Sequence, residues 1–348
     1  MDASPYDRIV AAKAALGGDL AILAHHYQGD DVYRHADFAG DSLELSSRIE
    51  GLDASSIVFC GVTFMAETAA VLAKPGQNVF IPDPKAGCVL SDMAPAPLVA
   101  AVIKRLRAGG RRVIPLTYVN SQAEVKAVCG RYGGSVCTSA NARIMVAWAL
   151  AQGEGVLFLP DQNLARNTCD ALGVPAGRRQ VLDVFSRGRT IDTARLAGKD
   201  VMIWPGQCVI HSRIKPAAIA AFRAEHPGAL VVVHPECSPE VVAAADSCGS
   251  TSHIIGYCEA APAGRTVAVG TEINMVARLA KKYAGVKTIV PLMGRGCSNM
   301  AKITEEKLAR QLDDLDRETP VAVGPDVREP ARLALTRMLN ACRAAGLR

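Results

Sequence analysis

The chain has 348 residues, of which 49% are hydrophobic, 21% charged and 5% aromatic, with a formal net charge of +5. That length buries a large core and calls for more than one domain, and the composition excludes a disordered or fibrous chain. The basic residues form no block and no aromatic ladder accompanies them, so nucleic acid is not an expected partner.

In chain order, residues 1–20 mix Asp7, Arg8, Lys13 and Asp19 into apolar positions, unlike a signal peptide, and no later run is long enough to span a membrane. A cytoplasmic location without a membrane partner is expected. The first unit opens with a strand ending in polar residues, LAILAHHYQ at 20–28, then FCGVT at 59–63 and VFIPD at 79–83. The second repeats the scheme as VIPLTYVNS at 113–121, VCTSAN at 136–141 and VLFLPD at 156–161. The third repeats it as LVVVHPECS at 230–238, SCGSTS at 247–252 and VAVGTE at 267–272.

Short β-branched or leucine-rich runs alternating with helices predict α/β architecture with parallel sheets. Ligands of such sheets sit beyond the carboxyl ends of the strands, where every polar cluster above lies. Three units about a pseudo-threefold axis then share one cavity. The expected divisions are 1–105, 106–212 and 213–303, followed by a helical tail, 304–348, packing on the outside. The alternative is one doubly wound domain with chance similarity among its turns; the strand–helix pairs of a TIM barrel cannot be counted.

Eleven cysteines, an odd number without an export signal, argue for thiols, metal ligation or redox chemistry rather than disulfides. No Cys-x-x-Cys pair exists, which disfavours structural zinc and the ferredoxin pattern. Each unit closes with a glycine-flanked cysteine: Ala86-Gly87-Cys88, Gly206-Gln207-Cys208 and Gly296-Cys297. Glycine lets the backbone turn sharply and approach a bulky group. One thiolate per unit would hold three irons of a cube and leave the fourth open to substrate. Burial as small hydrophobes is the commoner fate of a free cysteine. Cys60, Cys137 and Cys248 recur at matching positions and stand as a rival trio, although Phe59 and Val136 beside two of them favour packing.

The segments AHHYQ, GDSLELS, TYVNS, TSANA, PDQNLA, W-x-G-x-C-x-x-H, HPEC, GSTS, GTE and G-C-x-x-M run in this order from Ala24 to Met300. They resemble those of the quinolinate synthase A family. The resemblance implies three pseudo-symmetric αβα domains around a central active site and a [4Fe–4S] cluster held by Cys88, Cys208 and Cys297. It also implies a transferase that condenses iminoaspartate with dihydroxyacetone phosphate, yielding quinolinate, phosphate and water for NAD biosynthesis. A separate aspartate oxidase would supply the iminoaspartate. The choice among cysteines rests on this resemblance; the repeats alone only made it plausible.

Such a reaction needs a base on adjacent carbons and donors for carboxylates and phosphate. Glu236 is the candidate base, with a helix N-terminal acid as the bland alternative. His234 shares its side of the strand, and His211, three residues after Cys208, would share a helical face with that cysteine. His25 and Tyr27 have the same i, i+2 relation, leaving His26 on the opposite side; Tyr118 and Asn120 repeat it. Ser42, Ser139, Ser250 and Thr251 are expected at helix starts, binding anions or merely capping. Glu272 receives no role, and His35, His226 and His253 stay unassigned. Pro205 departs from the polar residue expected before the Gly-x-Cys turn.

Two rivals remain: another cluster-dependent hydro-lyase, and a non-enzymatic iron–sulfur sensor or electron carrier. A radical-SAM enzyme is disfavoured because its closely spaced cysteine triplet is missing.

Overall fold

The computed structural model describes residues 3–184, 186 and 188–347. Its strands form three separate parallel sheets. The first contains β1 (Leu20–His25), β2 (Phe38–Gly40), β3 (Ser56–Cys60) and β4 (Asn78–Phe80) in the order β2-β1-β3-β4. The second contains β5 (Val113–Tyr118), β6 (Ser135–Cys137), β7 (Gly155–Leu159), β8 (Arg179–Val181) and β9 (Val201–Ile203), ordered β6-β5-β7-β9-β8. The third contains β10 (Leu230–Val233), β11 (Ser247–Cys248), β12 (Thr266–Gly270) and β13 (Thr288–Pro291), ordered β11-β10-β12-β13. Central strands such as β1, β5 and β7 are buried at every residue, which is why their sequences are continuous apolar runs rather than alternating ones. Three sheets exclude both a single doubly wound domain and a barrel.

Pairing register matches the units residue by residue. Ala24 pairs with Cys60, Thr117 with Leu159 and Val233 with Gly270. Two residues beyond β3, β7 and β12 stands the cap of a 10-residue helix each time. These caps are Val62 before Thr63–Leu72, Asp161 before Gln162–Ala171, and Glu272 before Ile273–Lys282. Counted from these positions, His25, Tyr118 and His234 are equivalent, and so are Tyr27, Asn120 and Glu236.

The same register corrects the sequence reading of the first unit. FCGVT is not its edge strand: it is the end of β3, whose counterparts are β7 and β12. The edge position beside β1 belongs to β2, only three residues long and too short to carry a hydrophobic pattern. Likewise VFIPD contains β4, which lies beyond β3, and is no counterpart of β7 or β12. Cys60, Cys137 and Cys248 are therefore not equivalent. Cys60 ends β3, Cys137 pairs with Tyr118, and Cys248 pairs with Val233, one register short of His234.

Two helices show how the units are packed together. Ala96–Arg107 lays Val99, Val102, Ile103 and Leu106 into the core of the second sheet with Val113, Leu157 and Trp204. Pro325–Ala344, an amphipathic helix of the tail expected to pack on the outside, buries its apolar face, Ala331, Ala334, Leu335 and Met338, completely. It packs against Thr63–Leu72 of the first unit and against Ala123–Arg131 and β6 of the second, closing the seam between them. Its apolar stripe at i, i+3, i+4 and i+7 suits that wedge. Cys342 is part of it, accepting the Asn141 side-chain N–H at 3.1 Å. No helix among the described residues is long and apolar enough to cross a membrane.

Candidate active site where three sheets meet

The carboxyl ends of the strands converge on one cavity. His25, Tyr118 and His234 reach it from the central strands, and Tyr27, Asn120 and Glu236 follow two residues later. Ser42, Ser139 and Thr251, equivalent by register, reach it from the turns after β2, β6 and β11. Thr251 Oγ1 is buried without a partner, a hydroxyl ready to donate. Ser250 stands behind as a helix cap, its Oγ accepting the His253 N–H at 3.3 Å. Ser42 is the first helical residue, with Asp41 as the cap, whereas Ser139 precedes its helix, Ala142–Gln152, by a turn.

Local backbone geometry sets the histidine tautomers. His25 Nδ1 accepts the N–H of Tyr27 at 3.2 Å, and His234 Nδ1 accepts the N–H of Glu236 at 3.3 Å. A neutral ring whose Nδ1 accepts must carry its proton on Nε2, so each imidazole is a donor at its far end. Burial holds His25 neutral by pushing its pKa down to about 3. Burial and the His211 charge lower His234 as well.

Glu236 is not at a helix start. It sits in the turn after β10, 2% exposed, with Oε2 2.7 Å from His211 Nδ1 and 3.3 Å from His234 Nδ1. The shorter approach lies off the ring N–H axis, so it is an ion contact rather than a linear hydrogen bond. Burial opposes ionisation of Glu236, but the neighbouring imidazoles, His211 foremost, outweigh it and hold the carboxyl below its usual range. Its Oε1 has no partner and remains available as an acceptor.

His211 lies in a 3-10 turn, His211–Arg213, and stacks on His234 with ring centroids 4.4 Å apart. Its Nε2 is 3.0 Å from Thr271 Oγ1, which is 2.7 Å from the Tyr27 hydroxyl. A continuous polar chain thus runs from Glu236 through His211 and Thr271 to Tyr27. Burial, then the Glu236 charge, raises Tyr27 and Tyr118 well above the ordinary phenol, so both stay protonated.

Cys88, Cys208 and Cys297 follow β4, β9 and β13 and all line this cavity while remaining partly exposed. Burial pushes the Cys88 thiol up to about 12, and Cys297 and Cys208 are close enough to couple electrostatically with it. Cys60 and Cys137 are instead fully buried within the sheets, and Cys248 does not reach the cavity. Three thiols lining one cavity would supply ligands to three irons of a cluster, so their donor chemistry fits such a group. Cys208 Sγ, a His211 ring nitrogen and a Glu236 oxygen also lie within 4.8 Å of one another.

The glycines beside these cysteines serve different ends. A Cβ at Gly206 would lie 2.6 Å from the Pro160 carbonyl, and one at Gly296 would lie 2.8 Å from Glu272 Oε1. Those two permit close approach to protein groups, which the sequence reading had attributed to a bulky ligand. At Gly87 a Cβ would meet nothing within 4 Å.

The unassigned histidines lie outside the cavity. His26 faces Tyr33 and Glu44, His35 contacts Glu305 at 2.6 Å, His226 packs on Phe222 and His253 meets Ser247. Pro205 offers its carbonyl to Gln162 without disturbing Cys208. Sequence reasoning missed Thr271 and Asp161, although the GTE and PDQNLA segments contain them. It also missed Asp41, whose Oδ2 accepts the Ser252 hydroxyl at 3.0 Å across the first and third units.

Comparison with known proteins gives a consistent result. The family model described as Quinolinate synthetase A protein matches residues 7–340. A quinolinate synthase of Acidobacterium capsulatum is 44% identical, over 97% of this chain and 93% of its own. One from Herpetosiphon aurantiacus is 44% identical, over 96% and 91%, and one from Corynebacterium glutamicum 42%, over 97% and 88%. Among solved structures, the E-1-hydroxy-2-methyl-but-2-enyl-4-diphosphate reductase of Plasmodium falciparum gives a TM-score of 0.28 at 10% identity, covering 91% of this chain and 85% of its own. That likeness carries no argument.

Proposed function

The chain belongs to the quinolinate synthetase A family, and on that premise we propose that it condenses iminoaspartate with dihydroxyacetone phosphate to form quinolinate. Phosphate and water leave, and the product feeds NAD biosynthesis; an aspartate oxidase supplies the unstable imine. The observation that carries this reading is the meeting of one thiol from each unit with the Glu236–His211–Thr271–Tyr27 chain in a single cavity.

Cys88, Cys208 and Cys297 would hold a [4Fe–4S] cluster, which when bound supplies a Lewis-acidic iron for polarising a carbonyl or accepting a hydroxyl. The protein's own groups account for binding and proton movement. Oε1 of the ionised Glu236 takes a proton from carbon next to a carbonyl or imine. His211 stabilises that carboxylate, and His234 Nδ1, accepting the Glu236 N–H, keeps its turn in position. Tyr27, protonated and held by Thr271, returns a proton to a departing oxygen. The Nε2–H groups of His25 and His234, with the hydroxyls of Ser42, Ser139 and Thr251, donate to substrate carboxylates and phosphate. Tyr118 and Asn120 complete the polar wall, and Ser250 supports it as the helix cap beneath Thr251.

Anaerobically purified protein should form quinolinate from the two substrates. Iron and sulfide analysis should show cluster loss in Cys88→Ala, Cys208→Ala and Cys297→Ala, and retention in Cys60→Ala, Cys137→Ala and Cys248→Ala. A cluster-bearing protein that makes no quinolinate would favour a different hydro-lyase, and the reverse cysteine pattern would overturn the ligand set.

A further inference from the structure

Register equivalence exposes a device that occurs twice. Asp161, the cap after β7, accepts the N–H of Leu164 with one oxygen at 2.7 Å and the backbone N–H of Cys208 with the other at 3.0 Å. Glu272, the equivalent cap after β12, accepts the N–H of Asn274 at 2.8 Å and the backbone N–H of Cys297 at 3.2 Å. Both carboxylates are fully buried. Each therefore fixes a helix start and a cavity cysteine of its own unit together.

The same helices reach across to the next unit. Two residues past its cap, Asn163 donates to the carbonyl of Glu236 at 3.2 Å, and Asn274 donates to the carbonyl of Tyr27 at 3.2 Å. Glu236 and Tyr27 are themselves equivalent positions. Six residues past its cap, Asn167 donates to the carbonyls of Pro235 and Cys237, both at 2.8 Å. Arg278, its counterpart, donates to the carbonyls of His26 and, at 3.0 Å, Gln28. Three consecutive carbonyls of the turn carrying the reacting side chain are thus held in each case. The third helix, Thr63–Leu72, has Val62, Phe64 and Thr68 at these places, and the Thr68 hydroxyl bonds within its own helix at 2.7 Å.

We propose that Asp161, Asn163 and Asn167, and likewise Glu272, Asn274 and Arg278, are positioning residues that tie one cavity cysteine to the neighbouring unit's reacting turn. Cys208 is thereby set against Glu236, and Cys297 against Tyr27. A displacement of either cysteine has to strain the matching turn, because one helix start holds both. The inference rests on the proposed cluster only for what the cysteines carry; the ties exist in the chain itself.

Two readouts test it. In the anaerobic holoprotein, Asp161→Ala and Glu272→Ala should release iron to a chelator about 10-fold faster than wild type, the usual scale for losing a group that orients a ligand. Thr304→Ala, which removes the cap of Glu305–Asp313 but touches neither carboxyl–cysteine tie, controls for general loosening and should leave release unchanged. Gly296→Ala, which crowds Glu272 Oε1, should reproduce part of the Glu272→Ala effect in a less disrupted chain. In the metal-free chain, hydrogen exchange at the Cys208 amide should rise roughly 10-fold in Asp161→Ala, since the carboxyl oxygen that accepts it is lost. Exchange at the Glu236 and Cys237 amides should rise in Asn163→Leu.

Wild-type exchange at Cys208 in Asp161→Ala, or iron release no faster than in Thr304→Ala, overturns the proposal. A wild-type chain that retains no cluster defeats the cluster reading instead, and the exchange experiment still decides the tie.

Discussion

At the seam between the first and second units, Pro325–Ala344 lays Leu335 and Met338 against Thr63–Leu72 and Ala123–Arg131, and the polar contacts that cross, such as Glu67 accepting the Ala123 N–H, reach neither Glu236 nor Tyr27. The two seams involving the third unit are built the opposite way, from buried amides, a guanidinium and the Asp41–Ser252 contact. The dry seam supplies burial, which is strong but indifferent to direction. The polar seams supply direction, because a hydrogen bond is lost when its partners shift by a fraction of an ångström. Pseudo-symmetry makes the contrast instructive: one helix position carries Phe64 on the dry side and Asn163 or Asn274 on the others. The side chains assigned here to proton transfer, Glu236 and Tyr27, sit on the turns that the polar seams hold.

The largest expected effect sharpens that contrast. Glu236→Gln keeps the shape and the Asn163 contact to the backbone but removes the base. It should lower kcat by roughly 10²- to 10⁴-fold while leaving the unfolding midpoint near wild type. A variant with near-normal kcat would remove Glu236 from the chemistry and with it the reason for holding its turn so firmly.

Next in size is a break on the dry side. A Cβ at Gly130 would stand 1.8 Å from the Pro330 carbonyl, a backbone clash that no rotamer relieves. Gly130→Ala should cost about 3 kcal/mol or more by forcing the two helices apart. Turnover per folded molecule should remain within about twofold, because no tie to Glu236 or Tyr27 is touched. Denaturant unfolding and active-site titration measure the two parts separately. A large kcat loss among molecules still folded would show that the dry seam also orients the site.

The third prediction concerns Lys126, which lies at the dry seam and serves the carbonyl of Ser121, the position equivalent to Gln28 and Cys237. Burial lowers its pKa from 10.5 to about 8, with Glu67 opposing the shift. The folded chain then binds fewer protons at this site than the unfolded one between those values. Stability contributed by this group must rise with pH from about 8 to 10.5, by no more than about 3 kcal/mol. The stability difference between wild type and Lys126→Met should change in wild type's favour over that interval. A difference flat with pH would mean the lysine is not desolvated, and the seam not dry.

How far the site was legible follows the same division. Strand-end pairs such as His25 and Tyr27, or His234 and Glu236, could be read because strand alternation and chain order are local properties. The three cysteines were visible as repeated glycine-flanked turns, but only the family motifs separated them from Cys60, Cys137 and Cys248. In the structure the rival cysteines stand at unmatched registers, while Cys88, Cys208 and Cys297 line the cavity. Thr271, Asn163 and Asn274 escaped notice because their partners lie 60 to 250 positions away in sequence. Nothing within a single segment marks a side chain whose purpose is to hold another segment's backbone. β2 was missed for a simpler reason: three residues cannot display a period.

The smallest effect probes direction without removing charge. Arg278 donates to two carbonyls, reaches Asp30 Oδ1 at 3.1 Å and lies over the Tyr33 ring at 3.7 Å. Lysine would preserve the positive charge and much of the aliphatic stem but cannot fork to His26 and Gln28 together. Arg278→Lys should therefore leave stability within about 1 kcal/mol, since one bond of that order is lost. The turn loses one of three carbonyl contacts, with Asn274 still holding Tyr27. A drop in kcat of about three- to tenfold at nearly constant KM is expected, because substrate is bound largely by other groups. Raising ionic strength should not reproduce it, as the lost feature is geometry rather than charge. If Arg278→Lys instead behaved as wild type while Arg278→Met failed, charge alone would suffice at this seam. Orientation by the forked guanidinium would then drop out of the contrast between wet and dry interfaces.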